Sequence, residues 1–573
     1  MKPMSSNTFK LTFITAAILS STSASAALYQ VVEVTPDLTY NSDYVSAYGV
    51  AIQSATTTGA SDNCFNSSTV SGDSVTCSAY TLGGETRVTE TNAGEAVDGL
   101  SFREEAPFAM DNAFYYIQDS DDFENYCDNQ LLYSTCETWA SLRWNLWNKE
   151  ITGDTTVNSY AFTGSSTSGT LVNSTYNTVI NSIDSSGDPV GIQLTPGDVT
   201  SYRRNTVDAL ADDITTTDYL QSRAWKTDGT YTVGSVSTSA TNTNGTYYSS
   251  KAAMWNASDI VELNWPSGTE VYNNSSIAQG SLRDFVIVDG TIYAVGFNSF
   301  YSNRNYMEAS ISKVAEGSFD TASSWTTVGV TNAKVYTNGG TSGDHIYSNT
   351  RLTSVNSNLI AIGEAKRQGS APSNGAAANR LFVVSDVSVS SPSATFLSDG
   401  IFFDGAGGKA GAINNYNEIV GQIDAESTRE ASGKPRRKRG FIYPYNGTGT
   451  DSDRRAVFNN QGWWLDNLTN GGTYSSNNNQ YRIIDATDIN DAGVISATAL
   501  KCDGGYDTTS YNATCGGGSQ DETTVAIKLV PIVGATSDDI SERGTDDTST
   551  ERSGGSIGLW MLAVLGFLGF RRK

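Results

Sequence analysis

A short pattern that recurs along the chain constrains its fold more than any other feature. In the clearest copy, Ile413–Gly421, an apolar residue and Asn precede a turn, and a short apolar strand then ends in Val-Gly. Apolar runs on both sides of Asn-rich turn residues are typical of paired strands. Degenerate copies are Ile183–Gly191, Lys226–Gly234, Val288–Gly296, Val355–Gly363 and Ile489–Ala497. The Lys226 copy keeps only the turn and Val-Gly, and Ala497 replaces the final Gly.

A second element alternates with the first. It is a strand that opens with a small or basic residue and carries aromatic side chains, as Arg439–Tyr443 does after the clearest copy. The others are Arg223–Trp225, Lys251–Trp255, Arg304–Met307, Arg380–Val384 and Thr524–Leu529. This alternation predicts a repeat of short strands.

The spacing of the copies indicates the blades of a β-propeller. From Gly234 onward their ends lie roughly 60 to 75 residues apart, enough for several short strands in each repeat. A small sheet buries both faces only between two neighbours, so a closed ring leaves no end exposed. Residues 27–535 therefore predict an all-β propeller of about seven blades, with the Val-Gly ends on inner strands. We expect Tyr29–Val34 and Val525–Val530 to pair and close the ring.

The two ends of the chain predict export. Lys2, Lys10 and the apolar run Leu11–Leu19 form a signal peptide, residues 1–26, which signal peptidase would cut after Ala26. The run is about half the length of a membrane span. At the other end, residues 536–553 are acidic and rich in Ser and Thr, which predicts a disordered linker.

Residues 554–573 combine Gly554 and Gly555, an apolar run and three basic residues. This tail resembles the GlyGly-CTERM sorting signal of Gram-negative bacteria. The resemblance implies transient membrane anchoring, cleavage by a rhombosortase-type protease, and delivery to the cell surface or the medium. A simple C-terminal membrane anchor is the alternative.

The alternating elements resemble the HAF repeats of bacterial extracellular proteins. With its leader and tail, the whole chain is similar to the DUF3466 family. That resemblance implies the architecture and the location, but it implies no activity.

Six cysteines form three close pairs in sequence, as expected of disulfides in an oxidising compartment. The simplest pairing is local: Cys64 with Cys77, Cys127 with Cys136, and Cys502 with Cys515.

Residues 105–150 interrupt the β pattern. Leu142 and Leu146, with several tryptophans nearby, predict a short helical insertion pinned by Cys127–Cys136. The tryptophans suit either a packed core or a sugar-stacking surface. An acidic run within the insertion supplies oxygen ligands of the kind that Ca²⁺ prefers, so calcium is the one cofactor for which the sequence offers a candidate site. Its candidate ligands are Asp119, Asp121, Asp122 and Glu124, and a solvated acidic loop is the alternative.

One basic run stands out from a chain whose formal net charge is −25. Its candidate binding residues are Lys434, Arg436, Arg437, Lys438 and Arg439. They suit contact with an anionic glycan, a protease-sensitive site, or a solvated loop beside acidic neighbours. The net charge argues against nucleic-acid binding.

Two hypotheses for function remain. The chain has a single histidine, His345, and lacks a nucleophile motif, which disfavours triad and zinc chemistry. We therefore expect an exported, surface-associated or secreted propeller that binds a glycan, matrix or surface protein without catalysis. The alternative is a secreted polysaccharide hydrolase or lyase that uses paired carboxylates.

Overall fold

The computed structural model describes residues 27–36, 46–55, 63–70, 72, 75–88, 119–200, 203–210, 219–243, 245–273, 276–301, 306–339, 343–398, 400–432 and 435–546. Within these residues the larger sheets have nine, seven, five, four and four strands. We divide the nine-stranded and the seven-stranded sheet into two groups each and call the resulting groups blades 1 to 7. Each blade begins at its innermost strand, and its later strands lie progressively outward. The predicted all-β propeller is confirmed.

The strands of blades 1 to 3 begin and end as follows: blade 1, Ser46–Ile52, Leu82–Arg87, Ala161–Gly164 and Ser168–Leu171; blade 2, Asn177–Ile183, Pro189–Leu194 and Val207–Leu210; blade 3, Gln221–Thr227, Thr232–Asn242, Gly245–Trp255 and Ile260–Glu262. Those of blades 4 and 5 are Ser281–Val288, Thr291–Ser299, Met307–Ala315 and Thr326–Gly329, then His345–Val355, Ala361–Arg367, Arg380–Val384 and Ala394–Phe396.

Blade 6 consists of Gly408–Ile413, Glu418–Asp424, Lys438–Pro444 and Trp463–Trp464, and blade 7 of Tyr481–Ile489, Ile495–Lys501, Thr523–Pro531 and Tyr29–Glu33. Two-residue strands flank them at Thr35–Pro36, Val199–Thr200, Arg203–Arg204, Val271–Tyr272, Ser276–Ile277 and Val335–Tyr336. The α-helices are Ser120–Tyr126, Cys136–Ile151, Ser452–Val457, Leu465–Leu468 and Ser475–Asn478.

The blades form a closed ring. The innermost strand of each blade contacts strands of the next, and that of blade 1 contacts blade 7. The chain's first strand, Tyr29–Glu33, is the outermost strand of blade 7, where it pairs antiparallel with Thr523–Pro531. The predicted pairing of the first and last strands is therefore confirmed, and apolar cores fill the spaces between neighbouring blades.

The structure corrects the expected position of the recurring glycine. It lies on the second strand of its blade, not on the innermost strand at the axis. The innermost strands carry a β-bulge, as between Ala224 and Lys226, and the bulge pushes a backbone carbonyl toward the glycine. A Cβ at Gly234 would overlap the carbonyl oxygen of Arg223. Gly191, Gly296, Gly363 and Gly421 face the equivalent oxygen of their own blades.

The recurring Asn ties consecutive blades together at the turn after the innermost strand. Its side-chain oxygen accepts from a backbone N–H of its own turn, as Asn414 does from Glu418 N at 3.0 Å. Its side-chain nitrogen donates to the next blade. Asn356 donates to Asn414 O at 2.8 Å, Asn414 to Asn490 O at 3.2 Å, and Asn490 to Gln53 O at 3.0 Å. The repeated turn therefore fixes the register between blades 5, 6, 7 and 1.

The predicted helical insertion connects the second and third strands of blade 1. We call its described part, residues 119–151, the cap, and residues 105–118 lie outside the described residues. The cap consists of Ser120–Tyr126, a π-helical turn at Cys127–Leu131, and Cys136–Ile151. All three predicted disulfides are present, including Cys127–Cys136 in the cap.

The expected linker is corrected over its first part. Residues 536–546 fold back onto blades 6 and 7, where Arg543 is buried and its Nε donates to Asp466 O at 2.9 Å. Asp546 accepts from Thr508 and Ser510, both at 2.7 Å. In the part of the chain that the structure describes, no helix is long and apolar enough to cross a membrane.

Candidate functional site

The loops that join second to third strands collect on one face of the ring, because strand direction alternates within each blade. We call this the capped face, since the cap is the blade 1 member of this set. The loops that lead from one blade into the next lie on the same face. Long connections are therefore concentrated on one side of the molecule, where ligand sites of rigid β scaffolds commonly lie.

The cap is fixed to blade 2 by a buried ion pair. Glu150, at the end of Cys136–Ile151, accepts from Arg204 Nη2 at 2.7 Å and from Asn158 Nδ2 at 3.0 Å. Its other carboxylate oxygen accepts from Gly197 N at 3.1 Å. Since both side chains are almost fully buried, the pair holds this end of the cap in one position.

The other end of the cap reaches across the ring to blade 5. Lys366 Nζ donates to Gln130 O at 2.8 Å, and Gly369 N donates to Gln130 Oε1 at 3.3 Å. A Cβ at Gly369 would overlap the carbonyl oxygen of Asn129, so glycine permits this close approach. Blades 6 and 7 separate blade 5 from blade 1 on one side, so the cap spans the capped face.

An open cleft of about 530 Å³ lies where the cap meets blade 5. Asn125, Asp128 and Asn129 are exposed along one side of the cap, at the i, i+3 and i+4 spacing of a single helical face. Gly369 and Ser370 of blade 5 form the opposite side. The cleft presents carboxamide and carboxylate groups to solvent, which can both donate and accept hydrogen bonds.

The tryptophans of the cap mainly form its core. Trp147 is buried with Phe123, and Trp139 and Trp144 pack against them. Tyr126 stacks on Trp139 with their ring centroids 6.1 Å apart. Exposed aromatic side chains of the capped face are tyrosines instead, at Tyr272, Tyr301 and Tyr474 in loops of three other blades.

The buried carboxylates of the described residues all have partners. Those within about 3 Å of an arginine or lysine nitrogen are Glu85, Glu150, Glu308, Glu364, Glu418, Asp424 and Asp466. Asp284 accepts from Ser354 Oγ at 2.7 Å and from Val355 N at 3.0 Å. Burial raises the pKa of Glu430 and the nearby Lys438 opposes that rise. These buried pairs and hydrogen bonds stabilise the ring.

The acidic run of the cap has a local structural role. Asp119 caps the helix Ser120–Tyr126 by accepting from Asp122 N at 3.1 Å. Asp121 is exposed, and Asp122 and Glu124 are half-buried. Among the described residues, no three His, Cys, Asp or Glu side chains are grouped so that they could hold a metal ion. Calcium binding at this run stays a prediction.

The structure corrects the interpretation of the basic run as a binding surface. Arg436 is buried and its Nη1 pairs with Asp424 at 3.0 Å, and Lys438 pairs with the same carboxylate. Arg439 is also buried, with its Nε 3.1 Å from Asp466 Oδ2. Arg437 is half-buried near the Tyr511 ring, and Lys434 lies outside the described residues. The charges of the run mainly neutralise acids of the adjoining strand Glu418–Asp424 and of the helix Leu465–Leu468.

Comparison with known families now identifies the chain. Residues 231–573 match the family described as "Protein of unknown function (DUF3466)". The chain belongs to this family. The match includes most of blade 3, blades 4 to 6 and the three inner strands of blade 7, whereas the cap precedes it. No curated protein matches the sequence.

Solved structures similar to this DUF3466 chain include three glycosidases. An α-L-arabinofuranosidase from Fusarium graminearum has 9% identity and a TM-score of 0.27, over 88% of this chain and 98% of that one. An α-L-arabinanase from Cellvibrio cellulosa has 10% identity and a TM-score of 0.21, over 48% and 89%. A β-fructofuranosidase from Bombyx mori has 10% identity and a TM-score of 0.22, over 45% of this chain, and our chain spans 57% of its length. Likenesses this low carry no information on activity.

The other residues singled out in the sequence are the lone histidine and the two processing sites. His345 begins the innermost strand of blade 5 and packs beside the rings of Tyr306 and Tyr336. Ala26, Gly554 and Gly555 lie outside the described residues, so both processing sites of this DUF3466 chain stay predictions. Sequence reasoning missed the Glu150–Arg204 pair, because no local pattern links residues of different blades.

Proposed function

We propose that this chain is an exported, non-enzymatic binding protein that holds a glycan on its capped face. The observation that carries the proposal is the open cleft between the cap and blade 5. Its volume falls within the range of about 300 to 1,000 Å³ that is usual for small-ligand sites. Exposed Asn125, Asp128 and Asn129 can exchange hydrogen bonds with sugar hydroxyls, which are themselves both donors and acceptors.

Exposed tyrosines on the same face support a ligand longer than the cleft. Tyr272, Tyr301 and Tyr474 present rings with one apolar face and a polar hydroxyl, a combination that suits the mixed surface of a sugar. Their placement in loops of different blades would let an extended glycan make further contacts beyond the cleft.

The partnered carboxylates favour binding over hydrolysis. A glycosidase needs two carboxyl groups about 5 to 10 Å apart that both reach the scissile bond. The buried carboxylates described above are instead held by arginine, lysine or backbone N–H groups, and the acidic member of the cleft, Asp128, is exposed. We therefore place the polysaccharide hydrolase or lyase second.

The predicted leader and tail are the basis for the proposed location of the protein outside the cytoplasm. Signal peptidase and a rhombosortase-type protease would process the two ends and leave the propeller at the cell surface or in the medium. Three disulfides support an oxidising compartment.

A glycan-array screen of the purified chain, followed by calorimetric titration of the best oligosaccharide, tests the proposal. We expect Asn125→Ala and Asp128→Ala each to weaken binding about tenfold, because each removes a hydrogen-bonding group worth about 1.4 kcal/mol. Asn148→Ala is the matched control, since Asn148 is an exposed cap residue outside the cleft. Unchanged affinity in both cleft variants, or the appearance of new reducing ends during incubation, would refute the proposal.

A further inference from the structure

The innermost strands line the ring axis, and the bulge leaves one or two residues of each without a partner on the second strand. These residues are Val50, Asn181, Trp225, Arg283, Thr353, Gly411 with Ala412, and Thr487. Two residues before the bulge, blades 3, 5 and 6 carry the cations Arg223, Arg351 and Lys409. Arginine and lysine therefore occur near the axis in four consecutive blades, because blade 4 contributes Arg283.

These cations differ in the hydrogen bonds, ion pairs and ring contacts that they already make within the protein. Arg223 is buried, and it donates to Gln221 at 3.0 Å and to Ser237 at 3.3 Å. The guanidinium of Arg283 stacks on the Trp225 ring at 3.4 Å. Arg351 pairs with Glu364 at 2.7 Å, and its side chain keeps 27% of its exposure.

Lys409 is the axial cation with the weakest attachment. The ion pair that the structure gives it is with Asp485 of blade 7, and the closest nitrogen–oxygen distance of 3.8 Å is too long for a hydrogen bond. The Lys409 side chain is 55% exposed although it lies on an innermost strand. Its strand packs against blades 5 and 7 and pairs along one edge only, so the exposed Lys409 side chain lies at the unpaired edge that faces the ring axis.

Lys226, which follows the bulge of blade 3, is a contrasting case. Burial lowers its pKa, but the fields of Asp488, Asp284 and Asp491 together outweigh burial and raise that pKa above its ordinary value. Three acids therefore act on Lys226, whereas the ion pair of Lys409 is with one acid at 3.8 Å.

We propose that the axial side of blades 5, 6 and 7 binds the anionic group of an acidic polysaccharide, with Lys409 as its main contact and Arg351 as a second. An oxyanion that approaches Lys409 forms a charge-assisted hydrogen bond that Asp485 does not supply at its present distance. This site is separate from the cap cleft, and no residue is shared between them.

The test measures binding of three oligosaccharides of equal length to the purified chain: carboxylated oligogalacturonate, dextran sulfate and neutral dextran. We expect both anionic oligosaccharides to bind and neutral dextran not to bind. Tighter binding of oligogalacturonate would identify carboxylate as the preferred group, and tighter binding of dextran sulfate would identify sulfate. Absence of binding by either anion, or equal binding of neutral dextran, would overturn the proposal.

Variants locate the site. Lys409→Gln is expected to weaken anion binding at least tenfold, whereas Asp485→Asn is expected to strengthen it severalfold by removing the competing carboxylate. Lys251→Gln is the matched control, since Lys251 pairs with Glu262 on an outer strand of blade 3. Thermal melts of all variants establish that each is folded. Wild-type affinity in Lys409→Gln, or weaker binding in Asp485→Asn, would refute the assignment. The cap variant Asn125→Ala should leave anion binding unchanged. The test of the axial site is therefore independent of the test of the cap cleft.

Discussion

The glycine of the repeat gives the sharpest test of the fold. In blade 3, Gly234 faces the carbonyl that the bulge of the innermost strand pushes outward, and a Cβ there would overlap the Arg223 oxygen. Gly234→Ala therefore adds one methyl group against backbone, which cannot rotate away as a flexible side chain can. The outer edge of the Trp255 ring lies 3.0 Å from the same Cβ position, so relief on that side is also blocked.

The expected cost lies at the upper end of overpacking, about 3 kcal/mol, because the strand pair must shift or lose its bulge. Such a loss lowers Tm by about 2–4 °C for each kcal/mol in domains of 150–250 residues, and by less in a longer chain. Chemical denaturation with a fluorescence readout measures it directly, provided that the transition is a single step.

Gly317→Ala is the matched control. No atom lies within 4 Å of a Cβ at Gly317, which occupies the short helix Glu316–Ser318 on the outside of blade 4. We expect its effect to stay within about 0.5 kcal/mol of zero. If Gly234→Ala were as stable as Gly317→Ala, the steric explanation of the repeat would be wrong.

Two further predictions concern contacts between blades. Asn414→Asp removes the donor to Asn490 O and sets a carboxylate against buried Glu418, so it should cost about 3 kcal/mol in denaturation, whereas exposed Asn148→Asp should change little. Burial lowers the pKa of Lys528 to about 8, so its penalty for charge is complete below pH 8 and disappears as pH rises toward 10.5. The free energy of unfolding relative to Lys528→Met should therefore rise over that interval by at most about 3 kcal/mol.

Two further effects bear on the pKa of Lys528 and on its measurement. Its Nζ donates to the carbonyl oxygens of Ser78, Tyr80 and Ser165 at 2.5, 2.8 and 2.6 Å, and these acceptors oppose the fall in pKa. Tyrosine ionisation above about pH 10 affects wild type and variant alike and cancels in the difference. A difference that is flat from pH 8 to 10.5 would mean that the three carbonyls hold the ammonium fully charged.

The sequence predicted those features that depend on neighbouring residues. The turn of Ile413–Gly421 joins two strands in each copy because its Asn and Gly serve their own hairpin, and the three disulfides close local loops. Pairing of Tyr29–Glu33 with the last strand was also predictable, since a ring of sheets needs closure.

Features that depend on contacts between blades were not predictable. The run at 434–439 shows its charges in the sequence, but Asp466, which neutralises Arg439, comes from the later helix Leu465–Leu468. Likewise, nothing local to Gln130 indicates that it meets Lys366 in blade 5. A signal for the axial cations did exist: Arg223, Arg351 and Lys409 each stand eleven or twelve residues before the glycine of their blade. A basic residue at constant spacing in three copies indicates a shared position.

The distribution of charge predicts an unusual salt dependence for the axial site. The chain carries a formal net charge of −25, so an incoming polyanion is repelled by most of the surface before it reaches Lys409. Raising the salt from about 10 to about 150 mM shortens the Debye length from about 30 to about 8 Å, so salt screens this long-range repulsion more than the contact with Lys409. Association of oligogalacturonate, followed by stopped-flow fluorescence, should therefore become faster over that range. Slower association would show that a net positive surface steers the ligand, which is incompatible with a lone cationic site in an acidic surround.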